Sequence, residues 1–356
     1  MKHKKLFGMK SEYLVAVLVL TAAFGVMAKV APLRSKRAKT VKPVASVVVP
    51  KVRRTLDGVL VERGKGKENT AIAGVMVENM IEAQPISGIA DASLVFEAVA
   101  EANITRFLAY FILDAGQPSF VIGPVRSARP YYLDWAAEFN TLYAHVGSAP
   151  AAYEMLRKKG VPGVYDLDQW YESQYYSRVA NHPAPHNVYT STEFLKRAYD
   201  AQHLLPKFQS WRFKNDAPPD LRGTVADIRV GYSAPYDVGW KYDKAANQYG
   251  RFQWTRPSAS GGSVGQVGPH KDAKGKAIAA KNIAVAFQKM EVLDAIGRKK
   301  FTTIGEGKAF VFQDGRVVTG VWKKPSAQER MRFYNAQDSE VEFNAGTTWI
   351  EIVPAL

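Results

Sequence analysis

Short runs of apolar and β-branched residues recur along the chain from residue 71 onwards, separated by polar turns. Residues 71–77 are apolar and end at Glu78-Asn79, and residues 92–100, 105–113 and 142–147 repeat the pattern. Runs of this length and composition predict buried strands.

Helix signals lie between these strands. Pro130 precedes residues 131–139 at a favoured first-turn position, and Ser148 precedes residues 149–159, which end at Gly160. Residues 190–193, Thr-Ser-Thr-Glu, match a capping box before residues 194–199. Proline favours a helix start because its φ is already helical, and serine and threonine because their side chains accept hydrogen bonds from the first free N–H groups. Glycine favours a helix end because it readily adopts a positive φ. The alternation predicts a mixed α/β layer domain over residues 71–205.

Beyond Pro206 the helical periodicity fades and short apolar runs alternate with turns. Asp314-Gly315 between two such runs is a strong hairpin signal. These patterns predict a mainly antiparallel β domain over residues 222–356. The predicted fold class is therefore α+β, with an N-terminal α/β layer domain followed by a mainly β domain.

The N-terminus has a different composition. Residues 13–28 carry no charge, and basic residues stand on both sides of them. Sixteen residues fall between a signal-peptide core of about 7–15 and a membrane span of about 20, so residues 1–28 are a signal peptide or a membrane anchor. Residues 29–70, basic and interrupted by prolines, predict a linker. We expect the extracytoplasmic side of the cell membrane, or secretion after cleavage, although the basic downstream flank opposes export.

The formal net charge of +15 is concentrated in this N-terminal region. Residues 1–70 hold 16 Lys/Arg against 4 Asp/Glu, which leaves +3 for the rest of the chain. A nearly neutral folded part argues against a broad nucleic-acid-binding face, and nucleic-acid binding through the basic tail stays an alternative. The chain has no cysteine, so no disulfide framework is available.

The candidate ligand site is the turn 123–130, Gly-Pro-Val-Arg-Ser-Ala-Arg-Pro. Arg126 and Arg129 stand three residues apart just before a predicted helix start, where guanidinium groups favour a carboxylate or phosphate. The alternative is that they pair internally with Glu97, Glu101 or Asp134.

Glu97 and Glu101 resemble paired glycosidase carboxylates. On a strand, however, they would lie about 13 Å apart at about 3.3 Å per residue, too far for that chemistry. Arg106 nearby favours an ion pair instead.

The other candidates are weaker as catalytic groups. His145 ends an apolar strand, and Ser148 suits a helix cap better than a nucleophile. His182, His186 and Asn187 share a loop in which Pro183 and Pro185 prevent the helix that a metal-binding histidine pair would need, so no metal and no cofactor are predicted. Four tryptophans of the second domain are candidates for a sugar-stacking surface or for core packing: Trp240, Trp254, Trp322 and Trp349.

Several strings carry a family resemblance, including Val77-Glu-Asn79, Gln84-Pro-Ile-Ser-Gly88, the 123–130 turn, Pro185-His-Asn187 and Gly346-Thr-Thr-Trp-Ile350. They resemble the YerB-like bacterial lipoproteins, the domain of unknown function 3048, over nearly everything after residue 70. The resemblance implies an exported, membrane-attached protein of two domains. Members commonly carry a lipobox cysteine, which this chain lacks, so anchoring would come from the hydrophobic segment.

Together these features predict a non-enzymatic, membrane-tethered, extracytoplasmic binding or scaffold protein of the bacterial envelope. Loops 84–91, 123–130, 145–148 and 182–189 would form its anion-accepting cleft. The expected partners are the membrane, through residues 13–28, and an anionic cell-wall polymer or a phosphorylated ligand. The alternative is an envelope-polymer hydrolase that uses His145 or His186 as its base.

Overall fold

The computed structural model describes residues 49–113, 118–180, 182–233, 236–254 and 267–355. The segment predicted as a signal peptide or membrane anchor, residues 1–28, lies outside the described residues, and so do residues 29–48 of the predicted linker. Residues 51–62 of that linker form a two-stranded hairpin.

Most ordered elements are strands. In chain order they are β1 (Lys51–Arg53), β2 (Leu60–Glu62), β3 (Ile72–Glu78), β4 (Leu94–Val99), β5 (Thr105–Ile112), β6 (Val121–Ile122), β7 (Thr141–His145), β8 (Val164–Asp168), β9 (Ser177–Arg178), β10 (Val188–Ser191), β11 (Phe213–Lys214), β12 (Asp227–Val230), β13 (Val238–Asp243), β14 (Gln248–Trp254), β15 (Val267–Pro269), β16 (Ala279–Ala280), β17 (Asn282–Val292), β18 (Lys299–Phe301), β19 (Gly305–Gln313), β20 (Arg316–Lys324), β21 (Arg332–Asn335), β22 (Phe343–Asn344) and β23 (Thr348–Ala355).

The α-helices of the described residues are short: α1 (Pro130–Ala136), α2 (Pro150–Tyr153) and α3 (Thr192–Ala201). A π-helical segment, Glu154–Lys159, continues α2. Six 3-10 turns complete the helical elements within the described residues: Ile81–Ala83, Ile89–Asp91, Glu101–Asn103, Ala137–Phe139, Ser173–Tyr175 and Pro219–Leu221.

One large mixed sheet organises the fold. Its strand order is β21-β20-β19-β17-β23-β4-β5-β3-β7-β8, with β18 paired to β17. Strand β23 runs parallel to both β17 and β4. Because β17 to β21 and β23 come from the second half of the chain and the other strands from the first, both predicted domains contribute strands to this sheet.

Each face of the large sheet buries its own hydrophobic core, because successive side chains of a strand point to opposite faces. On β3, Ile72 and Met76 join a core that contains the aromatic residues of α1, such as Trp135. Val75 and Val77 join the other core, which contains Trp240 of a second sheet, ordered β12-β13-β14-β15 with β16 beside β14.

The predicted α/β layer domain over residues 71–205 is wrong. The helices lie where the sequence signals placed them, but they are seven, four and ten residues long and do not form a layer. Residues with positive φ end two of the helical segments where the sequence predicted, Asn140 after Phe139 and Gly160 after Lys159. The second face of the sheet is covered largely by another sheet, so the protein is mostly β.

The predictions of individual turns and helix positions were more accurate than the predicted fold class. The Asp314-Gly315 hairpin is confirmed: both residues have positive φ, and Gln313 pairs with Arg316 across the turn. A side-chain cap precedes α3, but the predicted capping box of Thr190 and Glu193 is wrong: the N-cap is Ser191, whose hydroxyl accepts a hydrogen bond from the Phe194 N–H. Ser148 does not cap α2, whose N-cap is Ala149, without a side-chain hydrogen bond.

Candidate functional site

The four loops predicted to form the site meet at one edge of the large sheet. Strand β7 is parallel to β3 and to β8, so the carboxyl ends of these strands lie together. The 123–130 turn crosses this edge: the Arg126 N–H donates to Met76 O, and Arg126 O accepts from the Val146 N–H. Ser87 pairs with Gly123, and Val125 donates to Val188 O. We call this surface the carboxyl-end rim; it comprises loops 84–91, 123–130, 145–148 and 182–189, with Glu78 and Arg178.

Arg129 is fully engaged inside the protein. Its Nε and Nη2 donate to the two carboxylate oxygens of Glu101, each at 2.6 Å, and its Nη1 donates to Ala128 O at 2.8 Å. Arg106 donates to Ser127 O and lies 3.6 Å from Glu101 Oε2. Burial, then the charge of Arg129, lowers the pKa of Arg106 to about 10. This group fastens the 127–129 backbone to the turn between β4 and β5.

Arg126 is only partly engaged. Its Nε lies 3.2 Å from Glu78 Oε1, and its Nη1 donates to Pro185 O at 3.1 Å. The Nη2 atom donates no hydrogen bond within the described part of the chain, and the side chain is 19% exposed. His186 Nδ1 lies 2.9 Å from Glu78 Oε2, so one buried carboxylate holds both Arg126 and His186 in place.

Arg178 adds a cation that sequence reasoning missed. Its Nη1 donates to Asn187 Oδ1 at 2.9 Å, and its Nη2 donates to Gln169 Oε1 at 3.4 Å. Both partners are neutral amides, and Arg178 forms no ion pair with any described residue. The carboxyl-end rim therefore presents Arg126 at Pro185 and Arg178 at Asn187, with Glu78 in contact with both Arg126 and His186.

His145 is buried, and both of its ring nitrogens have hydrogen-bond partners within the protein. Nδ1 lies 2.8 Å from Gly147 O, and Nε2 lies 2.7 Å from Asp166 Oδ1. Ser148 contributes a backbone bridge to Ala128 rather than a hydroxyl contact with His145. The two residues therefore do not form the base and nucleophile of a hydrolase.

His182 and His186 do not share a binding geometry. The His182 ring lies beside Tyr189, at 6.3 Å between ring centroids, whereas His186 faces Glu78. Over residues 49–355, apart from the four undescribed gaps, no group of three His, Asp or Glu side chains is arranged to hold a metal ion.

Glu97 lies away from the carboxyl-end rim, in a cluster that we call the buried polar seam: Glu97, Arg251, Gln253, His270 and Glu351. Arg251 Nη2 donates to Glu97 Oε2 at 2.7 Å and to Oε1 at 3.0 Å. Its Nη1 donates to His270 Nδ1, which fits a neutral imidazole, because burial and the charge of Arg251 hold the pKa of His270 well below its usual value. The seam joins the large sheet to the second sheet.

Glu351 lies beside Glu97 in the parallel register of β23 and β4. Burial, then the charge of Glu97, raises the pKa of Glu351 to about 8. Its oxygens lie 2.8 Å from Trp240 Nε1 and 2.7 Å from Tyr232 Oη, and Tyr232 Oη in turn lies 3.1 Å from the backbone oxygen of Glu97. A protonated Glu351 completes this chain of hydrogen bonds.

The tryptophans considered for sugar stacking are core residues, because Trp240, Trp322 and Trp349 are buried. The side chain of Trp254 lies outside the described residues. Sequence reasoning also missed Glu78, although its position at the end of an apolar strand marks it as a polar group brought to the rim of a sheet.

Comparisons with known proteins cover nearly all of the described chain. Residues 56–205 match the family described as "Protein of unknown function (DUF3048) N-terminal domain", and residues 228–350 match the corresponding C-terminal domain. The chain is 30% identical over 318 residues to "Putative lipoprotein YerB" of Bacillus subtilis, which covers 86% of this chain and 87% of the relative.

The crystal structure of the YerB protein from Bacillus subtilis has a similar fold. The TM-score is 0.70 at 29% sequence identity, over 86% of this chain and 98% of that chain. None of the helices in the described residues has the length and apolar character needed to cross a lipid bilayer.

Proposed function

The chain belongs to the DUF3048 family, and from this premise we propose that it is an extracytoplasmic binding protein of the bacterial envelope that accepts an anionic ligand at the carboxyl-end rim. The location rests on the relative, which is named a putative lipoprotein, and on the uncharged segment 13–28. A lipid on a cysteine is not available to this chain, which has none.

The observation that carries the binding role is the state of Arg178 and Arg126. Arg178 has only amide partners, and Arg126 keeps Nη2 free of hydrogen bonds within the described residues. An arginine bound to neutral groups keeps its charge available to a phosphate or carboxylate, which guanidinium groups bind with two parallel hydrogen bonds. Arg129, matched by Glu101, has no such capacity and serves the fold.

Calorimetric titration with a soluble poly(glycerol phosphate), which has the repeated phosphodiester of an anionic wall polymer, tests this role. We expect the wild type to bind and Arg178→Gln to bind about tenfold more weakly, the loss of one charge-assisted contact. Arg212→Gln is the matched control, because Arg212 is an exposed arginine beside Glu340. Absence of binding to the wild type, or equal binding by Arg178→Gln, would contradict the proposal.

One contact favours a second function, envelope-polymer hydrolysis. Glu78 orients His186 through Nδ1, and Nε2 makes no hydrogen bond with the described residues, which is the arrangement of a general base. Turnover of wall fragments with a bell-shaped pH profile, lost in His186→Ala, would support hydrolysis over binding alone.

A further inference from the structure

Aromatic side chains that face solvent are confined to one short part of the described chain. Tyr153, Tyr165, Trp170 and Tyr171 are exposed, whereas every other exposed large hydrophobic side chain of the described residues is Val, Leu or Ile. Trp170 is 75% exposed and Tyr171 is 56% exposed. The other tryptophans whose side chains are described are buried. Such a concentration of exposed aromatic surface is typical of a binding site.

The turn that presents Trp170 and Tyr171 is held rigidly. Asp168 Oδ1 accepts hydrogen bonds from the Gly147 N–H at 2.8 Å and from the Trp170 N–H at 3.2 Å. The Asp168 backbone oxygen accepts from the Tyr171 N–H at 3.0 Å. Because the backbone is fixed before a ligand arrives, little conformational entropy is lost on binding.

The two tyrosine rings are also positioned. The guanidinium of Arg157 lies 3.8 Å from the centroid of the Tyr171 ring, and Asp166 holds Arg157 through a 2.9 Å ion pair. The hydroxyl of Tyr171 interacts with that of Tyr153, which raises the pKa of Tyr171. We call the exposed side chains of Tyr153, Trp170 and Tyr171 the aromatic platform.

The indole of Trp170 sits against a glycine. A Cβ atom on Gly147 would lie 3.3 Å from Trp170 Nε1, and Gly147 has a φ of +61°, which disfavours any other residue. The 145–148 loop is therefore shaped around the indole, and the aromatic platform borders the carboxyl-end rim.

We propose that the aromatic platform binds the pyranose rings of an uncharged glycan. Its aromatic faces suit the C–H faces of sugars, and the tyrosine hydroxyl and indole N–H groups suit sugar hydroxyls. The cation of Arg157 is matched by Asp166, so the platform favours a neutral ligand. No Val, Leu, Ile or Met side chain, of the kind a protein partner would also bury, is exposed among the residues described between 145 and 180.

This site is independent of the anion site proposed above, and the test keeps them apart. The probe is chitohexaose, an uncharged oligosaccharide of N-acetylglucosamine, followed by calorimetry and by acrylamide quenching of tryptophan fluorescence. We expect binding that protects Trp170 from quenching, a loss of about tenfold or more in Trp170→Ala, and substantial retention in Trp170→Phe. Arg126→Gln and Arg178→Gln should bind chitohexaose as the wild type does.

Tyr165→Ala is the matched control. Tyr165 is an exposed aromatic residue on the opposite face of β8 from Asp166, beside Phe208 and Lys207. It should bind as the wild type does, and the exposed Trp170→Ala should keep the wild-type melting temperature. Failure of the wild type to bind chitohexaose, or equal binding by Trp170→Ala, would overturn the proposal. Self-association that Trp170→Ala abolishes, without sugar binding, would assign the platform to a second copy of the chain instead.

Discussion

The carboxyl-end rim and the buried polar seam are adjacent along β3 but use arginine differently. Glu78 belongs to the rim, and the next residue, Asn79, exchanges hydrogen bonds with Gln253 of the seam. In the seam, Arg251 is buried, and its Nη atoms donate hydrogen bonds to Glu97, Gln253 and His270. On the rim, Arg126 and Arg178 keep charge or hydrogen-bonding capacity that the fold does not use. The difference separates arginines that hold the two sheets together from those available to a ligand.

The strongest test of this contrast is Arg251→Met. Removal of the guanidinium leaves the Glu97 carboxylate buried without its counter-ion, which we expect to lower the free energy of unfolding by about 3–5 kcal/mol. Urea denaturation measures the change. The free energy of unfolding of Arg178→Met, the corresponding variant on the rim, should stay within about 0.5 kcal/mol of the wild-type value. A similar loss of stability in both variants would contradict the distinction between structural arginines and arginines available to a ligand.

Because Glu351 in the seam is protonated in the folded protein, the free energy of unfolding should depend on pH. The pKa of Glu351 is raised from 4.5 to about 8 in the folded chain, so its contribution to stability is fully present below about pH 4.5 and is lost as the pH rises towards 8. The free energy of unfolding should fall by up to about 1.4 kcal/mol per pH unit from this group.

Glu351→Gln, which imitates the protonated form, should flatten that decline. Denaturation curves between about pH 5 and about pH 8 measure the difference between the two slopes. If both proteins show the same slope, the carboxyl of Glu351 is ionised in the folded protein and the proposed chain of hydrogen bonds is incorrect.

Arg129→Gln should have an intermediate effect. It removes the two 2.6 Å contacts with Glu101, and hydrogen bonds to a charged group of this kind contribute about 2 kcal/mol. Thermal and urea unfolding would show the loss. If Arg129→Gln is as stable as the wild type but no longer binds poly(glycerol phosphate), Arg129 is a ligand-binding residue and not a structural one.

The sequence predicted local features well because local chemistry decides them. Apolar runs gave the central strands, Asp314-Gly315 gave the hairpin, and a serine–threonine cluster gave the start of α3. It did not predict that both halves share one sheet, because the parallel pairing of β23 with β4 joins residues about 250 positions apart.

Most partners of the site residues could not be predicted either, because they too lie far away in the sequence. The sequence named Glu101 as one of three possible partners of Arg126 and Arg129, and the Arg129–Glu101 pair confirms that alternative. Nothing in the spacing assigned Glu78 to Arg126 and His186. Arg251 meets Glu97 from 154 positions away. Trp170 was missed because an exposed tryptophan cannot be told from a buried one without its neighbours.

The most direct measurement pairs stability with affinity in Arg126→Gln. Arg126 and Arg129 lie on one turn, so the same two readouts apply: the free energy of unfolding and the dissociation constant for poly(glycerol phosphate). We predict that Arg126→Gln loses binding about tenfold. Its loss of stability should be smaller than that of Arg129→Gln, because Glu78 keeps His186 as a partner. Unchanged affinity together with a large loss of stability would contradict the account and make Arg126 a structural residue like Arg129.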